Sequence, residues 1–189
     1  MKIKRRKIKS ERLRIILKWF LYALLISISY VYMTGTVVNL PKPLLLIPIA
    51  LCISMHENEM TASIVGLICG FMLDSACGKI FGFNAFLLMV FCMFTSLLFL
   101  YLMRQNIINI IAITIAATLI QGTLDFFFFY AMWGYDSVGL VFLHNIIPSM
   151  IFTIISSVFI YFIVKFIFSK CSFSEENFIE EKSENIVRE

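Results

Sequence analysis

The sequence predicts an all-α integral membrane protein with six transmembrane helices, the second of them short and kinked by proline. Three observations predict this fold: 60% of the 189 residues are hydrophobic, only 15% are charged, and the apolar residues lie in long runs. Soluble domains are nearer half apolar and a quarter charged. About 113 apolar residues instead suit six helices of about 20 residues each. Soluble, disordered and disulfide-stabilised classes are therefore excluded.

Residues 1–18 are predicted to form a basic cytoplasmic arm with a net charge of +8. Basic residues beside a first span hold that end of the chain on the cytoplasmic face, and they attract anionic lipids. The arm lacks interleaved aromatic residues, so nucleic acid is not expected as a partner. Helix one follows over residues 19–38. Because it has span length and no small-residue cleavage site after it, a signal peptide is not expected.

The second apolar stretch, residues 44–55, is short for a transmembrane helix. Its 12 residues cover about 18 Å of a hydrocarbon core about 30 Å thick. We expect a short span that begins near Asn39 and is kinked at Pro48, with a re-entrant hairpin as the alternative. The remaining helices are predicted at residues 61–77, 83–103, 107–133 and 140–168. Six spans within a transmembrane domain of residues 19–168 place both termini in the cytoplasm.

The last segment, residues 169–189, is an acidic tail of net charge −3. Arg104, Lys165 and Lys170 fall on the predicted cytoplasmic side with the basic arm, which agrees with the positive-inside rule. The weakly basic character of the whole chain therefore comes from its first 18 residues.

Helix three carries small residues at every fourth position, so they share one slowly rotating face. Such a face lets another helix approach closely in lipid. Two interpretations are open: packing within this chain, or docking of a different membrane protein. The residues of this face are Ala62, Gly66, Gly70, Asp74 and Gly78.

A second candidate site is a polar cluster at one depth near the outer surface. Charged or polar side chains in lipid are costly unless paired, so they are expected to face inward, toward one another. Hydrogen bonds between helices are one interpretation, an outward-facing ligand pocket is the second, and a proton or metal site is the third. The cluster consists of Asp74, Gln121, Asp125, His144 and Asn145.

Catalysis and cofactor binding are not expected. The five cysteines form no C-x-x-C pair, and the sequence has no G-x-S-x-G, H-E-x-x-H or phosphate-binding loop. The two histidines, His56 and His144, are predicted at opposite membrane faces. No metal, cofactor or catalytic residue is therefore assigned.

The segment GLICGFMLDSACGKIFGFNAF, residues 66–86, resembles the signature of the rod shape-determining protein MreD family. That signature has a proline-flanked short second span, then G-x-x-x-G-x-x-x-D, then a small-residue turn and G-x-N-A at the start of the next helix. Helix six is similar too, although Thr153 stands where many members are expected to have Asn. The matching residues are Gly66, Gly70, Asp74, Gly78, Gly82 and Asn84.

The resemblance implies a non-enzymatic component of the bacterial cell-elongation machinery in the cytoplasmic membrane. It implies the single-span partner MreC and, through it, the actin-like MreB filament, a RodA-type glycan polymerase and a class B penicillin-binding protein. It also implies a fold like the S-component, the substrate-binding subunit of energy-coupling-factor vitamin transporters. The alternative function is a transporter subunit that captures a small molecule between Asp74, Asp125 and His144.

Overall fold

A computed structural model of the chain describes residues 2–35, 44–78, 80–129 and 147–172, with side chains described for residues 13–170 of these ranges except residue 129. Helices joined by short turns account for all of the described residues, as predicted. They are α1 (Lys2–Thr34), α2 (Leu46–Ser54), α3 (Glu59–Cys77), α4 (Phe83–Tyr101), α5 (Ile107–Phe129) and α6 (Ile147–Ser172).

Five of these six helices are long and apolar enough to cross a membrane, which confirms five of the predicted spans. Their outward faces carry large apolar side chains, such as Ile64 on α3, Phe94 on α4 and Phe159 on α6, each more than half exposed. In water such surfaces would be unfavourable, but hydrocarbon solvates them well. The spans are Leu13–Thr34, Glu59–Cys77, Phe83–Tyr101, Ile107–Phe128 and Ile147–Lys170.

The second helix differs from the short transmembrane span that the sequence predicts. α2 has nine residues, about 14 Å of rise, and all nine are buried inside the protein. Pro48 is its third residue, where a backbone N–H has no acceptor within the helix, so proline fits the first turn and need not kink the helix. α2 is therefore a central core helix surrounded by the longer ones.

One end of the bundle, which we call the basal end, is defined by contacts among α1, α6 and the turn after α2. Lys18 Nζ of α1 lies 2.8 Å from Glu57 Oε1 in that turn. The ring of His56, beside Glu57, stacks on Phe168 of α6 with centroids 4.1 Å apart. The N-terminal half of α1 and the C-terminal end of α6 therefore lie at the same end of the bundle.

At the opposite, distal end, the C-terminal parts of α1 and α3 meet, since Tyr30 Oη lies 3.4 Å from Ser75 Oγ. α2 begins between the two ends, where the backbone N–H of Leu44 donates to Thr153 Oγ1 of α6 at 2.9 Å. The chain returns through α2 to the basal end. Thr153, at the helix-six position where Asn was expected, thus contributes a polar contact to the start of α2.

Candidate functional site

The small-residue face of α3 packs directly against α4. A Cβ atom at Gly66 would lie 2.7 Å from the carbonyl oxygen of Leu88, and one at Gly70 would lie 2.3 Å from Cα of Ala85. Contacts this short do not occur between real Cβ atoms and backbone. Glycine is therefore required at both positions for α3 and α4 to approach so closely.

This packing bears on the two interpretations of the face. Ala62, Gly66, Gly70 and Asp74 are all buried, and α4 occupies the space beside them. Gly78 is exposed and ends α3 with a left-handed φ of +63°. A partner helix cannot occupy the same face while α4 is there, so a docking surface has to be sought elsewhere.

Asp74 binds the N-terminus of α4. Its Oδ2 accepts hydrogen bonds from the backbone N–H groups of Gly82, at 2.8 Å, and Ala85, at 3.4 Å, while Oδ1 accepts one from Asn84 at 3.2 Å. The first N–H groups of a helix lack partners inside it and carry partial positive charge, so a carboxylate there is favoured. Gly82 permits the close turn because its φ is +100°. Asp74 therefore caps α4 from the neighbouring helix.

The side chain of Asn84 extends the link from α4 to α5. Gln121 Nε2 donates to Asn84 Oδ1 at 2.8 Å, and both side chains are fully buried. Asn84 Nδ2 and Gln121 Oε1 are also buried and have no hydrogen-bond partner among the described residues. The result is a polar connection through α3, α4 and α5, in which an amide donor and an amide acceptor remain unused.

The predicted outer cluster is thus brought together in part. Asp74 and Gln121 are joined through Asn84, which was not predicted to be in the cluster, and Asp125 lies buried one turn beyond Gln121. His144 and Asn145 lie outside the described residues. Asn84 was not predicted as a member of the cluster because its depth depends on where α4 begins. α4 begins immediately after the turn at Gly82, next to the carboxylate of Asp74.

A second polar site, at the basal end, was not predicted. Lys18 and Glu57 form an ion pair with side chains only 5% and 11% exposed. Ser96 Oγ of α4 donates to the carbonyl oxygen of Glu57 at 2.7 Å, and Lys18 Nζ lies 5.8 Å from the ring centroid of Phe168. Lys18 therefore belongs to the bundle, whereas it was predicted to be part of the basic arm. The sequence feature that could have indicated this is the position of Lys18 immediately before Trp19, at the start of the apolar run.

His56 lies beside this ion pair. Burial, together with the positive charges of Lys18 and Lys165, lowers the pKa of its imidazole from 6.5 to about 4. A neutral imidazole is thereby favoured at physiological pH. Neutral His56 stacks on Phe168 without adding a positive charge beside Lys18 and Lys165.

The described side chains include no group of three His, Cys, Asp or Glu residues placed to hold a metal ion. The sequence matches the family model of the rod shape-determining protein MreD over residues 10–171. The chain belongs to the MreD family. MreD proteins are bacterial membrane proteins that determine rod shape, and the family is associated with the MreC and MreB shape complex. No curated protein and no solved structure matches the chain.

The region matched to the MreD family includes both polar sites. The Asp74 cap, the Asn84–Gln121 link and the Lys18–Glu57 pair all lie within residues 10–171. All three join helices of the same chain. This member of a structural, shape-determining family thus uses these intramembrane polar side chains to hold its own bundle together.

Proposed function

We propose that this MreD family member is a non-enzymatic membrane scaffold of the cell-elongation machinery, which docks a single-span MreC-like protein and supports peptidoglycan synthesis. The observation that carries the proposal is the Asp74 cap, which commits the motif carboxylate to three backbone N–H groups at the start of α4, those of Gly82, Asn84 and Ala85. A carboxylate used in this way stabilises a rigid surface. It is not free to act as an acid, a base or a nucleophile.

Through the MreC-like partner, the scaffold acts indirectly on the actin-like MreB filament, a RodA-type glycan polymerase and a class B penicillin-binding protein. The basal end faces the cytoplasm in this proposal, with both termini on that side. Support comes from the basic arm that precedes Lys18 and from Arg104, Lys165 and Lys170 near the ends of α4 and α6. Anionic lipids contact the part of the arm nearest the membrane.

The docking surface that we propose is the lipid-facing side of α5. Ala112 and Ala116 are exposed four residues apart, and small residues at this spacing let a second helix approach closely. Ile108 and Ile120, also exposed, lie one turn before and one turn after this alanine pair. The transmembrane helix of a single-span protein can pack against this face of α5. The glycine face of α3, by contrast, is already covered by α4.

Affinity capture from gently solubilised membranes tests the proposal. The wild-type chain is expected to capture an MreC-like protein, and replacing Ala112 and Ala116 together with Leu is expected to abolish capture and make rod-shaped cells round. The matched control replaces Ala23 and Ser27 with Leu. These two residues are exposed at the same spacing on α1, and capture is expected to be retained. Capture of an ATP-binding transport module in place of wall-synthesis proteins would contradict the scaffold function, whereas full capture by the α5 variant would contradict only the docking surface.

The alternative function is a small-molecule-binding transporter subunit with an S-component-like fold. One observation favours it: Asn84 Nδ2 and Gln121 Oε1 offer a donor and an acceptor deep inside the bundle. Under this alternative, mass spectra of the purified protein contain one vitamin-like compound in every preparation. The Gln121→Leu variant would then lose that compound while remaining folded, and spectra without any such compound would contradict the alternative.

A further inference from the structure

Asn84 and Gln121 form a pair of side-chain amides that share only one hydrogen bond. Gln121 Nε2 donates to Asn84 Oδ1 at 2.8 Å, whereas Asn84 Nδ2 and Gln121 Oε1 have no hydrogen-bond partner among the described residues. Both side chains are fully buried. A buried polar atom without a partner is unfavourable, and most such atoms in folded proteins bond to protein or to ordered water. One donor and one acceptor are therefore available here to a bound molecule.

The pair offers one donor and one acceptor in either orientation of its amides. If both amides rotate by 180°, Asn84 becomes the donor of the shared bond, and Asn84 Oδ1 and Gln121 Nε2 become the unused atoms. Rotation of only one amide would place two donors or two acceptors against each other. A molecule that satisfies the pair must therefore accept one hydrogen bond and donate another.

The backbone of Asn84 is held in place by α3. Its N–H donates to Asp74 Oδ1 at 3.2 Å, and a Cβ atom at Gly70 would lie only 2.7 Å from its carbonyl oxygen. Because this part of α4 is fixed to α3, it is not free to move so that Asn84 closes a second bond with Gln121. The remaining donor and acceptor are then satisfied by a bound molecule more readily than by a shift of the helix.

The helix that carries Gln121 has a buried polar face. Thr114, Thr118, Gln121 and Asp125 are all buried and follow one another at intervals of three or four residues, so they lie on the same side of α5. The hydroxyl groups of Thr114 and Thr118 donate to carbonyl oxygens of their own helix, which leaves their oxygen atoms able to accept. Buried water occupies sites with polar partners, whereas apolar cavities stay dry. This face of α5 therefore suits a water molecule.

We propose that one water molecule is bound between Asn84 and Gln121 and joins α4 to α5 inside the bundle. The two unused atoms lie no more than about 7 Å apart, because each amide separates its nitrogen from its oxygen by about 2.2 Å on either side of the 2.8 Å bond. A water that accepts from Nδ2 and donates to Oε1 spans up to about 6 Å. Such a bridge is nearly as favourable as a direct hydrogen bond. It completes the polar connection that runs from Asp74 through Asn84 to Gln121.

Solid-state NMR of the full-length protein in vesicles of deuterated phosphatidylcholine tests this site, at a slightly acidic pH where amide protons exchange slowly. Magnetisation is expected to pass from water protons to the side-chain nitrogen of Asn84 at short mixing times. The backbone nitrogens of Leu88 and Ile110, in residues that are equally buried on α4 and α5, are expected to receive none.

A substitution at Gln121 provides the second measurement. Gln121→Met removes the acceptor and is expected to abolish the transfer from water to Asn84. The matched control is Gln105→Met, which also replaces a glutamine with a single hydrogen bond, to the carbonyl oxygen of Met55 at the basal end. The control is expected to retain the transfer. A Gln121→Met variant that also retained it would show that Gln121 does not hold the water, which contradicts the proposal.

Three results in the wild-type protein would overturn the proposal, so it can be tested even if Gln121→Met does not fold. One is the absence of transfer from water to Asn84. Another is a direct bond from Asn84 Nδ2 to Gln121 Oε1, seen as a coupling across that bond, which would mean that the pair satisfies itself. The third is transfer from protons of an organic compound, which would assign the pair to the ligand of the alternative function. None of these measurements depends on capture of an MreC-like partner.

Discussion

Replacement of Gly70 by Ala is expected to destabilise the protein more than the addition of one methyl group elsewhere in the bundle. The new Cβ would lie 2.3 Å from Cα of Ala85, and within 2.7 Å of the backbone nitrogen of Ala85 and the carbonyl oxygen of Asn84. All three are backbone atoms, so no side chain can rotate away. α3 and α4 must therefore separate by at least about 1.1 Å to restore an ordinary contact of 3.4 Å.

Two costs follow from that separation. Overpacking in a well-packed core costs about 1 to 3 kcal/mol. In addition, the bonds from Asn84 and Ala85 to the carboxylate of Asp74, now 3.2 and 3.4 Å long, would exceed hydrogen-bonding distance. Losing hydrogen bonds to a charged group costs about 1.5 to 3 kcal/mol more. Together these costs give an expected loss of about 2.5 to 6 kcal/mol in the free energy of unfolding.

Reversible unfolding of the purified protein in mixed detergent micelles measures this loss. Ile64→Phe is the matched control, because it adds more volume to the same helix on a face that is 58% exposed. The control is expected to change the free energy of unfolding by less than about 0.5 kcal/mol. A Gly70→Ala variant as stable as the control would refute the close approach of α3 and α4.

Four other substitutions, at three sites, test the polar side chains by the same unfolding measurement. Asp74→Asn turns an amide NH₂ toward the N–H groups of α4 and is expected to cost about 1 to 2 kcal/mol. Lys18→Met leaves the carboxylate of Glu57 buried without its cation and is expected to cost about 3 to 5 kcal/mol, part of which the second change Glu57→Gln restores. His56 has a pKa of about 4 when folded and 6.5 when unfolded, so the unfolded chain binds the proton first. The wild type is therefore expected to lose about 3 kcal/mol as the pH falls from 6.5 to 4, and His56→Gln is expected to remove that part of the pH dependence.

Each of these expectations has its own contrary result. An Asp74→Asn variant with wild-type stability would mean that water replaces the carboxylate at the start of α4. Additive costs for the Lys18 and Glu57 changes would mean that the two side chains do not interact. A His56→Gln variant with the same pH profile as the wild type would assign the acid sensitivity to the carboxylates.

The sequence was sufficient to predict the membrane-spanning helices that face lipid, because each of them depends only on a local run of apolar residues. Helices α3 and α4 begin and end within about two residues of their predicted limits. α2 was harder to predict, since a run of 12 apolar residues has the same composition whether it faces lipid or other helices. Its nine residues are buried because longer helices surround it, which is a property of the neighbours and not of the run.

The tertiary structure alone determined which groups meet. The G-x-x-x-G-x-x-x-D spacing on α3 predicted a face for close helix contact, but either α4 or another protein fits that spacing equally well. Lys18 and Glu57 are far apart in sequence, as are Asn84 and Gln121, and their pairing depends on the order in which helices pack around α2. Whether a segment can span the membrane depends on its own length and hydrophobicity, which are local properties of the chain. A hydrogen bond or ion pair between helices depends on two helices, which must place the two groups at the same depth and in the right orientation. The sequence by itself therefore determined the membrane class and the family resemblance, and packing determined the Asp74 cap, the buried α2 and the basal ion pair.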